Sequence, residues 1–355
     1  MHARTMVARV LAPCLNTLHA KRARALREVI EALLFGGQAN LSAIALNLSR
    51  RCPFKHRLKC VDRLLGNVAL QRSRSVTLYD EIHPQRRLAH PAVHRAFGRR
   101  LSHMIPSGCQ VIVMTDAGFH APWFKLVEKQ GWGWLGGIRG RNRIRLGTNG
   151  SWEPARMLYD RAMLTAGDLG EGAYSRSNPV AARLVLAKRP DKGRHSLNIY
   201  GHKRIGRASA KNARAAREPW LLATSLNLRH LSAQAVVNLY AQRMRIEPSF
   251  RDTKNVRLGF GLSSSRCRSA PRLEMLLLLT HLAGFVQRLI GESARRQQLD
   301  LQFTATRRTS RPEISVLTLG RRLLIARSNI QVKLTIPTAM AEFRRQAQNA
   351  VAVAA

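Results

Sequence analysis

Tyr240, Arg243, Glu247 and Lys254 follow one another at spacings of three, four and seven residues. On a helix turning about 100° per residue, those spacings bring all four side chains within a sector of about 60°. A phenol, a guanidinium, a carboxylate and an ammonium then share one face. Such a face suits chemistry on phosphate, because the carboxylate can hold a divalent metal while the cations and the phenol grip a nucleic-acid backbone. The same residues also read as a solvated helix face with an Arg243 to Glu247 ion pair at i,i+4, which contributes only about 0.2–0.5 kcal/mol. Ser232 is placed to cap the helix, which carries Val236 on its apolar side. Pro248, directly after the carboxylate, removes a helical hydrogen bond and crowds residue 244 at a cost of about 3 kcal/mol. The shared face is therefore firmer for Tyr240 to Glu247 than for Lys254.

A second acid closes a different kind of segment. QVIVMTD (110–116) is a short apolar run with the pattern of a buried strand, and it ends at Asp116 just before the amphipathic stretch APWFKLVEK. Open α/β sheets place ligand chemistry beyond the carboxyl ends of their strands, which makes Asp116 a candidate metal ligand. Its other reading is the N-cap of the helix that follows. Trp123, Trp132 and Trp134, around this helix, read as core aromatics.

The N-terminal region reads as helical. Leu26, Val29, Ile30, Leu33 and Leu34 recur at helical spacing, Gly36 and Gly37 stop the run, and Asn40 is placed to cap a helix carrying Leu41, Ile44, Ala45 and Leu48. A third helix, with Leu58, Val61 and Leu65 on one side and Lys55, Arg57, Lys59 and Arg63 around it, ends at Gly66. Three short helices with a basic last one fit a helix-turn-helix-like DNA module; a helical bundle with a solvated basic face fits as well.

Charge narrows the partners. Sixty Lys plus Arg against twenty Asp plus Glu leave a formal +40, the footprint of a protein that binds a polyanion. Nucleic acid is the expected partner. A membrane is not, since no uninterrupted apolar run reaches the roughly 20 residues of a transmembrane helix. The best stretch, LEMLLLLTHLAGFV (273–286), is shorter and carries Thr280 and His281, as a buried core helix would. The N-terminus has no convincing leader, so the expected location is cytoplasmic. Five cysteines, at 14, 52, 60, 109 and 267, form no C-x2-C pair, so they point to reduced thiols rather than disulfides or zinc. An aromatic content of 6% argues against a single-strand RNA platform.

The spacing Y-x2-R-x3-E-x6-K, set in RMRIEPSFRDTKNVRLGFGL (243–262), resembles the signature of the insertion-sequence-four family of bacterial transposases, which use DDE chemistry. The resemblance extends in order through RCPFKHRLKCVDRLLGN (51–67), RSVTLYDE (74–81), VIVMTDAGFHAPWFKLVEKQGWGWL (111–135) and EPWLLATSL (218–226). It implies an α/β, ribonuclease-H-like catalytic core whose acids hold two Mg²⁺ ions, with Mn²⁺ able to substitute. It implies cleavage and strand transfer on double-stranded DNA, at inverted-repeat ends and target DNA, with a homodimer in the DNA complex. Carried over residue by residue, it makes Asp116 and Glu247 catalytic metal ligands and makes Tyr240, Arg243 and Lys254 phosphate contacts. Arg251 is a further DNA contact in the same stretch. Trp220, at the head of the apolar strand in EPWLLATSL, either stacks on an unpaired base or packs in the core.

One part of the family pattern is missing. Only six residues separate RLLGN (63–67) from RSVTLYDE (74–81). Family members carry roughly forty there, including a strand that ends in the first of the acids that assemble the two-metal site. Asp62 lies on the third N-terminal helix and points to the wrong domain, and Asp80 reads as a strand-end turn residue. The core is accordingly expected to be incomplete, and a catalytically inactive, DNA-binding remnant or regulator is the alternative function.

These readings divide the chain into an N-terminal helical DNA-binding domain (1–72), a first part of the core (73–140), a β-rich basic insertion (141–218), a second part of the core with the glutamate helix (219–300) and a C-terminal helical tail (301–355). Within the insertion, ARLVLAK (182–188) reads as a strand, and Lys188 to Arg217 hold ten Lys or Arg against the single Asp191. That stretch is too polar to form a core of its own. The apolar helix at 273–289 is expected to cover the sheet.

Overall fold

A computed structural model describes residues 20–36, 38–50, 52–57, 81–188, 218–243, 253–256, 259–303 and 314–325, with a few isolated positions. The chain divides into two units: Met1–Arg86 with Ile246–Ala347, and Arg87–Arg245 with Gln348–Ala355.

The first unit is helical. Helix α1 (Ala20–Gly36) and helix α2 (Leu41–Asn47) form where the spacing of apolar residues places them. Asn40 Oδ1 accepts the Ala43 N–H at 2.8 Å, so the expected cap is made. The third N-terminal helix lies largely outside the described residues. Leu26, Val29, Ile30, Leu33 and Leu34 are buried together with Ile44, Ala45 and Leu48.

The long apolar helix, α6 of the fold, belongs to this core. It runs over Ala270–Arg296, and its Met275, Leu276, Leu279, Leu282, Ala283, Val286, Leu289 and Ile290 join the α1 and α2 residues in one cluster. The expectation that this helix covers the sheet is thereby corrected. An apolar stripe specifies burial but not the partner, and here the partners are other helices. By length and composition α6 passes as a membrane span, but its buried stripe is that of a core helix. A last described helix, α7 (Val316–Ile325), crosses it closely: a Cβ on Gly291 would collide with the Val316 carbonyl.

The second unit is a mixed α/β structure built on a seven-stranded, mostly antiparallel sheet. Its strands are β1 (Ile112–Thr115), β2 (Gly133–Ile138), β3 (Arg143–Leu146), β4 (Glu153–Pro154), β5 (Gly167–Tyr174), β6 (Val180–Ala187) and β7 (Trp220–Thr224), in the spatial order β1-β2-β7-β6-β5-β3-β4. Strands β1 and β2 are parallel, with Ile112 opposite Gly133 and Thr115 opposite Gly136. The other pairings are antiparallel. Strands β3 to β6, from the segment read as a β-rich insertion, continue this same sheet through the β6–β7 pair. Most of the basic stretch 189–217 lies outside the described residues.

Alternation along the strands gives the sheet two buried faces. Trp134 and Ile138 of β2, Leu184 and Leu186 of β6, and Leu221 and Ala223 of β7 face helix α4 (Ala121–Lys129). Leu135, Val185 and Leu222 face helix α5 (Ala233–Arg243). On the α4 side Phe124 stacks on Trp134 with centroids 4.1 Å apart, and the indole donates to Glu128 at 2.8 Å. Helix α3 (Pro91–Ser102) packs beside α4. Trp123 and Trp134 are buried and Trp132 packs against the same cluster, all in the core role expected of them.

Strand β1 differs from its expectation as a fully buried strand. Ile112, Val113 and Met114 are half-buried and only Thr115 is buried, because β1 stands at the edge of the sheet among the described residues. An apolar run reports affinity for the core, whereas the number of flanking strands decides how much of it is covered.

Candidate functional site

Because β1 and β2 are parallel, the residues that follow them leave the sheet at one end. Asp116 follows β1 and Arg139 follows β2, and both are exposed. Asp116 does not cap α4: the N-cap position is His120, which makes no side-chain cap. Instead Asp116 Oδ1 accepts the Gly118 N–H at 2.9 Å, a local Asx turn that holds the carboxylate at the strand end.

Helix α5 brings the second group of residues. Ser232 Oγ accepts the Ala235 N–H at 3.1 Å, as expected of an N-terminal cap. From there Val236, Leu239 and Tyr240 are buried against the sheet. The Tyr240 ring meets Trp220 edge-on, with centroids 4.9 Å apart. Its hydroxyl lies over β2, where a Cβ on Gly137 would come within 2.5 Å of it. The Arg243 guanidinium sits 5.5 Å from the centre of the same ring.

Tyr240 therefore connects the helix to the strand ends electrostatically. Burial pushes its pKa up from the ordinary phenol value; Arg243 opposes this by its charge and by a hydrogen bond to the hydroxyl, Asp116 adds to the rise, and Arg139 opposes it. All three charged groups lie within electrostatic reach of one phenol. The phenol is protonated at neutral pH. Its oxygen accepts from Arg243, which leaves the O–H as a donor within electrostatic reach of Asp116 and Arg139.

The structure thus brings together Asp116, Tyr240 and Arg243 of the residues that the sequence motifs single out. Trp220 is half-buried and serves as the wall against which Tyr240 packs. Lys254 is exposed, with its ammonium 5.9 Å from the Phe250 ring, and it belongs to the helical unit. Glu247, Arg251, Asp62 and Asp80 lie outside the described residues. Arg139 belongs to none of the motifs; its signal in the sequence is the cationic run RGRNR directly after the strand GWLGGI.

Divalent metals are the usual cofactor of DDE enzymes, so the fit of the described residues to such an ion matters. Among them, no group of three His, Cys, Asp or Glu is placed to hold a metal ion. Among the described residues, Asp116 is the single carboxylate on a face it shares with two arginines. The described residues do not by themselves make a divalent site. Cys52, Cys109 and Cys267 are free thiols.

A search of curated proteins found no match to this chain. Residues 82–283, more than half of the chain, match the family model described as the transposase DDE domain. A sheet whose parallel strands end at an acid, faced by a helix bearing the Tyr–Arg part of a phosphate-gripping pattern, agrees with that match, and the chain belongs to the DDE transposase family.

Proposed function

We propose that the chain is the transposase of a bacterial insertion sequence of the insertion-sequence-four type, with the motifs of the insertion-sequence-ten transposase, and that it works in the cytoplasm on the inverted-repeat ends of its own element and on target DNA. In this reading β1 and β2 belong to a ribonuclease-H-like core, β3 to β6 to its insertion, and residues 1–72 to a DNA-binding domain. The observation that carries the reading is the convergence of Asp116, Arg139, Tyr240 and Arg243 at one end of the β1–β2 pair. Arg139 and Arg243 hold a backbone phosphate, and the buried, protonated Tyr240 orients the Arg243 guanidinium and donates to a phosphate oxygen. Asp116 and Glu247 are the acids of the reaction.

A second reading, DNA binding without cleavage, is favoured by the single carboxylate that the described residues place at this face. A labelled duplex carrying the element's terminal repeat separates the two. Nicking in Mg²⁺ or Mn²⁺ that disappears in Glu247→Ala and Asp116→Asn supports a working transposase. Repeat-specific binding with no nicking supports the binding-only reading, and absence of DNA binding removes both.

A further inference from the structure

On the α4 side of the sheet, away from the Tyr240 face, lies a cavity of about 730 Å³. Three segments of the second unit build it: the start of α4 at His120 to Pro122, the β2–β3 turn with Arg141 and the first residue of β3, Arg143, and the β5–β6 turn with Arg176 and Asn178. No carboxylate lines it. Arg141, Arg143 and Arg176 are exposed, so an anion there is met without desolvating them; Arg143 also donates to the Trp152 carbonyl at 3.2 Å, which makes Arg141 and Arg176 the principal cations of the opening.

The donor arrangement points to an anion. Lys125 donates to Asn178 Oδ1 at 2.5 Å, which occupies the amide oxygen and turns the NH₂ into the available group. Ser175, at φ 69°, holds the turn that presents Arg176 and Ser177. The first turn of α4 adds the positive end of the helix dipole to these side-chain donors; Pro122 has no N–H, and the Trp123 N–H donates to the His120 carbonyl. The lining is thus rich in donors and carries a formal +3 from its arginines.

We infer that this cavity is a second phosphate site, separate from the Asp116 face, which holds a backbone phosphodiester of DNA as a positioning contact and takes no part in bond breaking. The inference rests on the transposase reading for its source of phosphate. Arginine forks recognise phosphate oxygens bidentately, and a fixed anchor across the sheet from the Arg139–Arg243 face would set the path of a strand.

The test uses the full chain and a short duplex, with affinity measured across a salt series. Arg141→Ala with Arg176→Ala is expected to weaken binding about equally for any sequence and to lower the slope of log K against log salt by about 1 for each phosphate that is no longer neutralised. Arg161→Ala, on an exposed turn outside the cavity, controls for net charge. Circular dichroism melts confirm folding of each variant, and Arg176→Lys should recover part of the affinity. An unchanged slope in the double variant, or an equal loss per charge in Arg161→Ala, overturns the inference while leaving the transposase reading intact. If the wild-type chain binds no duplex, both fall. Saturable binding of inorganic pyrophosphate that the double variant loses, with duplex binding unaltered, assigns the cavity to a free phosphate ligand and overturns the DNA part.

Discussion

The Tyr240 hydroxyl occupies the space over Gly137 that any side chain at position 137 would need: a Cβ there would lie 2.5 Å from the phenol oxygen. The oxygen cannot simply swing away, because the ring is buried and held edge-on by Trp220. A missing side chain on β2 is thus what lets a residue of α5 reach the strand ends.

Gly137→Ala should therefore destabilise the second unit by about 1–3 kcal/mol through overpacking. Tyr240→Phe, which removes the obstructing oxygen, should restore part of that loss in the double variant. Urea unfolding of the four proteins in the cycle measures the coupling; additive effects would show that the two residues do not meet.

Arg183, only 7% exposed on β6, donates to Asp168 Oδ2 at 3.0 and 2.6 Å and to the Leu231 carbonyl just ahead of α5. The hydrogen bond from Arg183 is the main cause of a lowered Asp168 pKa. A depressed folded pKa means that the unfolded chain takes up the proton first. The stabilisation is present above the ordinary carboxylate value of 3.8 and is lost as pH falls from there through the folded value. Asp168→Asn should flatten this acid limb. The Asp168 side chain is 45% exposed and screened by water, so the cost near neutrality should be only about 1 kcal/mol. Melting temperatures between pH 7 and pH 3 check both points.

Burial is the first cause of raised pKa values at Tyr159, Tyr174 and Tyr240. A raised folded pKa works in the opposite direction. The unfolded chain loses these protons near the ordinary value of 10.0, while the folded protein retains them. Stability is thus full below that pH and falls as pH rises through it toward the folded values. Tyr240→Phe should make the alkaline decline shallower. Unfolding followed by circular dichroism from pH 8 to pH 11 would expose the error if the variant declined as steeply as the wild type.

Arg139→Ala and Arg243→Ala should each weaken duplex binding by a similar factor on specific and nonspecific sequences and lower the salt slope by about 1. Arg243→Lys should not restore full affinity, since an ammonium lacks the planar fork that stacks on Tyr240 and grips two oxygens. Fluorescence anisotropy across a salt series measures this, and a loss confined to one sequence would argue for a base contact instead.

Several parts of this protein are legible in the chain. The caps at Asn40 and Ser232 follow from short polar side chains placed just before apolar periodicity, because both are local interactions spanning three residues. The strand in ARLVLAK and the strand ending at Asp116 follow from β-branched and apolar runs bounded by polar residues. Asp116 stands at the strand end that its apolar run implies, but only the turn to Gly118 decides against its N-cap alternative. Other features are not legible. Arg139 reads as one cation among sixty Lys and Arg until the parallel pairing of β1 and β2 sets it at the same end as Asp116.

The sequence by itself determined the local elements, the strongly cationic character and the residue types that suit phosphate, because periodicity, capping and charge act over a few residues or through composition alone. The tertiary structure alone decided that α6 buries its stripe among helices, that β3 to β6 extend the sheet of β1 and β2, and that Tyr240 reaches over Gly137 toward Asp116. Those relations depend on which apolar faces find each other and on how closely two backbones approach. Contacts between residues a hundred positions apart leave no periodic trace in the chain.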